Sequence, residues 1–296
     1  MTADAWTLTI DACLKRLAFE RRYSAHTLAA YARDLAELAR FARAQGCAQP
    51  QALSQELARR FVGGLSRQGR SGRTIARALA AARTLYREAG LPANPFRGVQ
   101  APATPRALPH DLRVDELQGL LSQPPQSALE TRDLAMIELF YGAGLRLAEL
   151  AGLRLADLDF AQGLVRVTGK GRRERLVPMG AAAAQALKAW LPLRVGGGPF
   201  GAVFTGRSGR PLGPRAIQKR LTVFARARGL AVPLHPHMLR HSFASHILQS
   251  SQDLRAVQEL LGHAHLSTTQ IYTHLDFQQL ARVYDETHPR ARRKRP

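Results

Sequence analysis

Cysteine is nearly absent from this chain, and long apolar runs are missing. Its two cysteines, Cys13 and Cys47, lie too far apart for a paired metal motif. This excludes a disulfide framework and a thiolate zinc site, and we expect both thiols to be reduced and inert within helices. No run of about 18 apolar residues occurs, so no membrane span is predicted. The opening MTADAWTLTID lacks the basic start and apolar block of a secretory signal, which favours a cytosolic protein.

Acidic residues are also scarce: 22 Asp and Glu face 43 Lys and Arg, a net charge of +21. The excess is evenly spread, with 17 basic and 7 acidic residues up to Arg106 and 26 and 15 after it. A charge distributed in this way favours a DNA or RNA partner, because contact with phosphates releases counterions. Only five of the cations are lysines, so an arginine-rich genome is the alternative explanation.

The length of 296 residues and the 45% hydrophobic content predict two domains with proper cores. Residues 6–90 show helical spacing of apolar residues, with further helices from Ser54 to Arg67 and from Ser71 to Gly90. Three prolines between Val99 and Pro109 predict a stiff extended spacer. We therefore expect a helical DNA-binding domain at 1–98, a linker at 99–109, a second domain at 110–288 and a basic tail at 289–296.

The second domain has a mixed pattern. DLRVDELQGLL and TRDLAMIELFYGAG predict helices, the latter ending at its glycines, and helices dominate again from Arg215. GLVRVTGKGRRERLVPMG predicts two short strands around a Gly-Lys-Gly turn, and AVFTG predicts a third strand. The predicted fold is mainly α with a small β-sheet. Two basic domains on a stiff spacer would suit a clamp that closes around a duplex.

The stretch HPHMLRH places three histidines around one arginine. Pro236 suits the first position of a helix, so His237 and Arg240 would share a face near its positive end and favour an anion. Zinc would need His237 and His241 with a nearby carboxylate, yet the next acidic residue is Asp253. No metal site is therefore predicted, and no cofactor is expected. Taken alone, the stretch also fits a capped helix with incidental histidines.

Two further stretches contain charged residues that are candidates for the site. In FYGAGLRLAEL, Arg146 follows a glycine-rich turn, and Glu149 is placed to orient its guanidinium by a bidentate pair. Lys170 would lie at the tip of the predicted hairpin, where an ammonium can act as a mobile proton donor. The alternatives are an exposed ion pair of little energetic value and an ordinary surface lysine.

The last candidate residues come from AVQELLGHAHLSTTQIYTHLD and from the fourth helix. Gly262 predicts a helix end just before His263, and a capping box begins a new helix that contains Tyr272. In the helical domain, Arg73 and Arg77 project from one face and are candidates for gripping DNA phosphates. A tyrosine in such a helix is otherwise core filler, and the two arginines are otherwise a solvated surface.

Together these stretches resemble the tyrosine recombinase (phage integrase-like) family. Its hallmark is G-x-R-x-x-E, a hairpin lysine, H-x-x-R, L-G-H and then a tyrosine. LRHSFASHIL, DLRAVQELLGH and LSTTQIYTHLD look like the bacterial Xer branch, nearest to its XerC type. The matching positions, in order, are Arg146, Lys170, His237, Arg240, His263 and Tyr272, with Glu149 in support.

The resemblance implies a core-binding domain, a catalytic domain and a metal-free reaction. Tyr272 would attack a DNA phosphodiester and form a 3′-phosphotyrosyl link. Arg146 and Arg240 would hold the nonbridging oxygens, and Lys170 would protonate the departing 5′ oxygen. In the same scheme His237 would assist proton transfer, while His263 would donate to the phosphate.

The resemblance also implies partners. These are double-stranded DNA, a XerD-like recombinase in a heterotetramer and an FtsK-like translocase, acting in the cytoplasm at the nucleoid to resolve chromosome dimers. The segment FQQLARVYDETH is a candidate C-terminal helix that docks on a neighbouring subunit or on its own core. Two other functions stay open from the residues: a type IB-like topoisomerase, and a non-catalytic architectural DNA-binding protein.

Overall fold

The computed structural model describes residues 4–103, 112–169, 174–196, 201–251 and 287–289. The chain divides into two compact units, Met1–Ala107 and Leu108–Pro296. Much of the predicted proline spacer lies outside the described residues. Within the described ranges, no helix has both the length and the apolar character needed to cross a membrane.

The N-terminal unit is helical. Each of its helices begins after an aspartate or serine whose side-chain oxygen accepts a hydrogen bond from a backbone N–H in the first turn, which stabilises the helix start. The third and fourth helices lie where the sequence predicts them. The helices are α1 (Ala5–Phe19), α2 (Ala25–Ala44), α3 (Gln55–Arg67) and α4 (Gly72–Glu88).

The buried face of α1 begins at Trp6, which is fully buried and donates from Nε1 to the carbonyl oxygen of Cys47 at 3.0 Å. Cys13 lies on the same face, and burial raises the pKa of its thiol to about 11. The expectation that Cys47 lies in a helix was wrong, because it follows the turn after α2, although it too is buried. Neither thiol is therefore poised for reaction at neutral pH.

The C-terminal unit combines helices with one small sheet. Strands β1 (Leu158–Asp159), β2 (Leu164–Thr168) and β3 (Glu174–Pro178) form an antiparallel sheet in that order. The mainly helical fold with a small sheet is confirmed. The helices are α5 (Val114–Ser122), α6 (Ala128–Ala143), α7 (Leu147–Ala151), α8 (Ala181–Trp190), α9 (Pro214–Ala227) and α10 (Pro236–Ser251).

The predicted strand in AVFTG was wrong. Ala202 and Thr205 make only single β-bridges, to Arg154 and Pro211, and the third strand of the sheet is β1 instead. Val203 and Phe204, the apolar residues that suggested a strand, are buried in the core of the unit. A short buried loop and a short buried strand share this apolar signature in sequence.

Helix α6 is the centre of this unit. It packs against α8, α9 and α10, and nearly all of its side chains from Arg132 onward are buried. The buried Asp133 accepts hydrogen bonds from Arg132 at 2.8 Å and from Nε of Arg220 on α9 at 2.7 Å. Because a buried carboxylate is costly unless it is paired, these arginines explain how a polar residue fits within the core.

His288, one of the few described residues near the C-terminus, packs on the same core. The hydroxyl of Tyr141 on α6 lies 2.9 Å from Nδ1 of His246 on α10, and both side chains are buried. The imidazole of His288 is also buried, with Nε2 at 3.1 Å from the carbonyl oxygen of Tyr141 and its ring against Phe243. His288 is therefore anchored within its own unit.

Candidate active site

The turn between α6 and α7 presents the first arginine of the site. Gly144 ends α6 with φ of +58°, a left-handed conformation that glycine adopts without a steric penalty. Leu145 is buried and fixes the turn, and Arg146 is the N-cap residue of α7. Its backbone N–H donates to Oε2 of Glu149 at 2.8 Å. The end of α6 and the start of α7 thus fix the position of Arg146.

Glu149 is the centre of the hydrogen-bond network, and its side chain is 2% exposed. Its Oε1 accepts from Nη1 of Arg146 at 2.9 Å and from Nη1 of Arg175 at 2.7 Å. Its Oε2 accepts from Nη2 of Arg175 at 3.0 Å. The bidentate guanidinium partner of Glu149 is therefore Arg175 on β3, and the expected bidentate pair with the Arg146 guanidinium was wrong.

Opposing effects act on the pKa of Glu149. Burial works to raise it, whereas hydrogen bonds from Arg175 and from the backbone and guanidinium of Arg146 work to lower it. The hydrogen bonds prevail, and the pKa lies below its ordinary value. Glu149 is therefore ionised at neutral pH despite its burial.

Helix α10 supplies another arginine. The helix begins at Pro236, as predicted, and Arg240 lies in its second turn. A terminal nitrogen of Arg240 donates to the carbonyl oxygen of Gly144, which brings the guanidinium close to the α6–α7 turn. Burial and the charge of Arg146 together lower the pKa of Arg240 to about 10, with Arg175 adding to the repulsion.

We call Arg146, Arg175 and Arg240, with Glu149 among them, the arginine cluster. Three positive charges share one carboxylate in a partly buried place, so the group carries an excess of positive charge. Burial is the largest cause of the lowered pKa of Arg240, and the charges of Arg146 and Arg175 lower it further. A phosphate placed there would relieve the repulsion, and guanidinium groups match its oxygen geometry.

Comparison with known proteins assigns the chain to a family. The Phage integrase family matches residues 110–279, and the phage integrase N-terminal SAM-like domain matches residues 10–90. The chain is 54% identical to tyrosine recombinase XerC of Pseudomonas aeruginosa, over 96% of each chain. It is 52% identical to tyrosine recombinase XerC of Azotobacter vinelandii, over 97% of each. The chain is a tyrosine recombinase of the phage integrase family, of the XerC type.

The fold of this recombinase agrees with that assignment. The Tn1549 transposon integrase, solved in complex with transposon right end DNA, superposes with a TM-score of 0.69 over 94% of this chain and 98% of that one. Sequence identity to it is 18%, so the likeness concerns the fold. As a family member the protein is an enzyme, a site-specific recombinase.

Of the other four predicted catalytic residues, one lies in the described part of the recombinase and three lie outside it. His237 is exposed in the first turn of α10, on the helix that carries Arg240. Strands β2 and β3 pair as the predicted hairpin, but Lys170 in its turn lies outside the described residues. His263 and Tyr272 also lie outside them, and their roles stay predictions. No three His, Cys, Asp or Glu side chains are grouped for metal binding within the described ranges.

The two arginines predicted to grip DNA differ in their surroundings. Arg73 is exposed on α4 of the recombinase. Arg77 instead donates from Nε and Nη2 to the carboxylate of Asp34 at 2.8 and 3.0 Å, and the Asp34 side chain is 7% exposed. Hydrogen bonding to Asp34 raises the pKa of Arg77. Arg77 thus joins α4 to α2 within the helical unit.

Sequence reasoning missed Arg175. It lies in RERLVP, where β-strand alternation puts it on the same side as the buried Val177 and opposite the exposed Leu176. A cation on the inward side of a strand is unusual, because burial of charge requires a partner. That alternation was the available signal for a buried ion pair.

Proposed function

We propose that this recombinase cuts and rejoins DNA through a covalent link between Tyr272 and a 3′ phosphate. The phenolic oxygen of Tyr272 bonds to phosphorus while the bond from phosphorus to the 5′ oxygen breaks. The phenolic proton passes towards His237, and Lys170 gives a proton to the departing 5′ oxygen. Because the phosphotyrosyl bond retains the energy of the broken ester, a 5′ hydroxyl of another duplex reverses the step without ATP.

The arginine cluster is the observation that carries this proposal. Negative charge grows on the nonbridging oxygens as phosphorus becomes pentacoordinate, and Arg146 and Arg240 would donate to them, with His263 as a further donor. Loss of one such preorganised donor costs roughly 2.7–4 kcal/mol of transition-state stabilisation, about a 100- to 1000-fold loss in rate. Fixed cations of this kind supply the charge stabilisation that divalent ions supply in many nucleases.

The biological setting follows from the same proposal. The partner is double-stranded DNA, and the active assembly pairs this subunit with a XerD-like recombinase in a heterotetramer, under an FtsK-like translocase. The reaction resolves chromosome dimers at cell division, in the cytoplasm and at the nucleoid. The positive charge of both halves of the sequence supports a duplex as the substrate, since it lowers the cost of approaching phosphates.

A suicide duplex with a nick near the cleavage position tests the nucleophile. The wild-type protein is expected to accumulate a covalent adduct, and Tyr272→Phe is expected to form none while it binds the duplex with nearly unchanged affinity. An adduct formed by Tyr272→Phe would remove Tyr272 from the nucleophile role. Supercoil relaxation, measured beside recombination of paired sites, distinguishes strand exchange from topoisomerase action.

A further inference from the structure

The side chain of Arg175 is largely buried where the strand pattern calls for an apolar residue. It is 13% exposed, whereas the neighbouring Leu176 is 45% exposed on the outer face of β3. Nε of Arg175 is buried and has no hydrogen-bond partner among the described residues. An unpaired buried donor is unfavourable for folding, so the stability of the fold alone is a poor explanation for an arginine here.

The contacts of Arg175 determine the orientation of the carboxylate that meets Arg146. Both terminal nitrogens of Arg175 donate to Glu149, one to each oxygen. The same two oxygens accept from Nη1 and from the backbone N–H of Arg146. The plane of the Glu149 carboxylate is thus fixed from β3, and the carboxylate in turn fixes the Arg146 guanidinium.

The position of Arg175 in the sheet adds a second connection. It pairs with Val167 across the β2–β3 hairpin, and Lys170 precedes it by five positions in the sequence. The Arg175–Glu149 pair therefore joins the hairpin that carries Lys170 to α7, at whose start Arg146 lies.

We propose that Arg175 is a positioning residue of the recombination reaction, which acts through Glu149 to hold Arg146 in its phosphate-binding orientation. This inference rests on the proposed function of the same site. Lysine cannot replace Arg175 fully, because an ammonium cannot donate to both carboxylate oxygens in the planar, parallel geometry of a guanidinium. A shift of about 1 Å in a phosphate-binding group is enough to slow a reaction about 100-fold.

Single-turnover cleavage of the nicked suicide duplex, at saturating protein, tests this. Arg175→Met is expected to lower the rate constant about 100-fold, and Arg175→Lys about 10-fold, with duplex affinity changed less than about 3-fold. Arg166→Met is the matched control, since Arg166 is exposed on the opposite face of the same hairpin, and its rate constant should equal that of wild type. A purely structural role would lower the reacting fraction and leave the rate constant of the folded molecules unchanged.

A double variant tests whether Arg175 acts through Arg146. Arg146→Ala combined with Arg175→Met should be no slower than Arg146→Ala alone, because the group being positioned is already gone. The inference would be overturned if the two substitutions together lowered the rate constant by the product of their separate effects. A wild-type rate constant for Arg175→Met would overturn it as well. If Arg175→Met fails to fold, a wild-type rate constant for Arg175→Lys overturns it equally. Absence of any adduct with the wild-type protein would instead count against the proposed function.

Discussion

The guanidinium of Arg240 donates to the carbonyl oxygen of Gly144, two residues before Arg146. Two arginines that lie 94 positions apart in the chain are thereby brought to the same turn. The carbonyl points to α10 because Gly144 adopts the left-handed conformation at the end of α6. The backbone of one turn thus sets the position of both arginines.

Replacing Gly144 tests the importance of that backbone conformation. Gly144→Ala should destabilise the protein by about 1–2 kcal/mol, because a side chain is unfavourable at positive φ. Cleavage should also slow, since the carbonyl that accepts from Arg240 would move. Gly144→Asn is the matched control, as asparagine tolerates this conformation better. Urea unfolding and single-turnover cleavage measure both effects, and equal behaviour of the two variants would contradict the explanation.

The response to acid should depend on Glu149. Its pKa in the folded protein lies below the ordinary value of 4.5, so its pairing adds stability that is complete above pH 4.5. That contribution is lost as pH falls through the lowered pKa of the folded state. Glu149→Gln should cost about 3 kcal/mol at pH 7, because it leaves two arginines without their carboxylate. The free energy of unfolding should then fall less steeply below pH 4.5, as measured by urea unfolding across pH; an unchanged acid slope would contradict this.

Phosphate-like anions should stabilise the protein through the arginine cluster. Vanadate or sulfate at about ten times its dissociation constant should add about 1.4 kcal/mol and raise the melting temperature by about 3–5 °C. Chloride at matched ionic strength controls for screening. Arg240→Met should lose this response, and Arg166→Met should keep it. An equal shift in the Arg146→Met/Arg240→Met double variant would show that the anion binds elsewhere.

Arg73 and Arg77 should respond differently to substitution. Arg77→Met leaves the buried Asp34 without its partner and should destabilise the protein by about 1–3 kcal/mol in urea unfolding. Arg73→Ala should leave stability within about 0.5 kcal/mol of wild type. If Arg73 contacts a phosphate, its loss should weaken duplex binding and reduce the salt dependence of log K by about one unit. Measuring the affinity for duplex DNA from low to moderate salt tests whether Arg73 contacts a phosphate.

Sequence reasoning predicted the helices and most of the hairpin well, because helix caps and period-two alternation are local signals. Ser54 and Ser71 cap the two helices that begin where predicted, and Pro236 begins α10. The resemblance to the tyrosine recombinase family implied that Arg146 and Arg240 act at one phosphate, and both occur in the arginine cluster. These local signals do not determine how each side chain is oriented.

The errors concern contacts between distant segments. The pairing of Arg175 with Glu149 spans 26 positions, and that of Arg77 with Asp34 spans 43. No local pattern predicts which acidic residue pairs with a given arginine, since the fold brings the two residues together. The AVFTG segment failed for a related reason: burial in the core, which favoured a strand in the sequence, is equally satisfied by a loop.

The burial of helix α6 has a consequence for how the site responds to temperature. Its buried length anchors the core of the catalytic unit, and its last residue leads directly into the turn that carries Arg146. Replacing a core side chain such as Phe140 with a smaller one would therefore weaken the positioning of Arg146 for phosphate binding as the temperature rises. Under the proposed function in chromosome dimer resolution, a bacterium with Phe140→Leu should divide normally when cool and form filaments with unsegregated chromosomes when warm, although every charged residue of the site is intact.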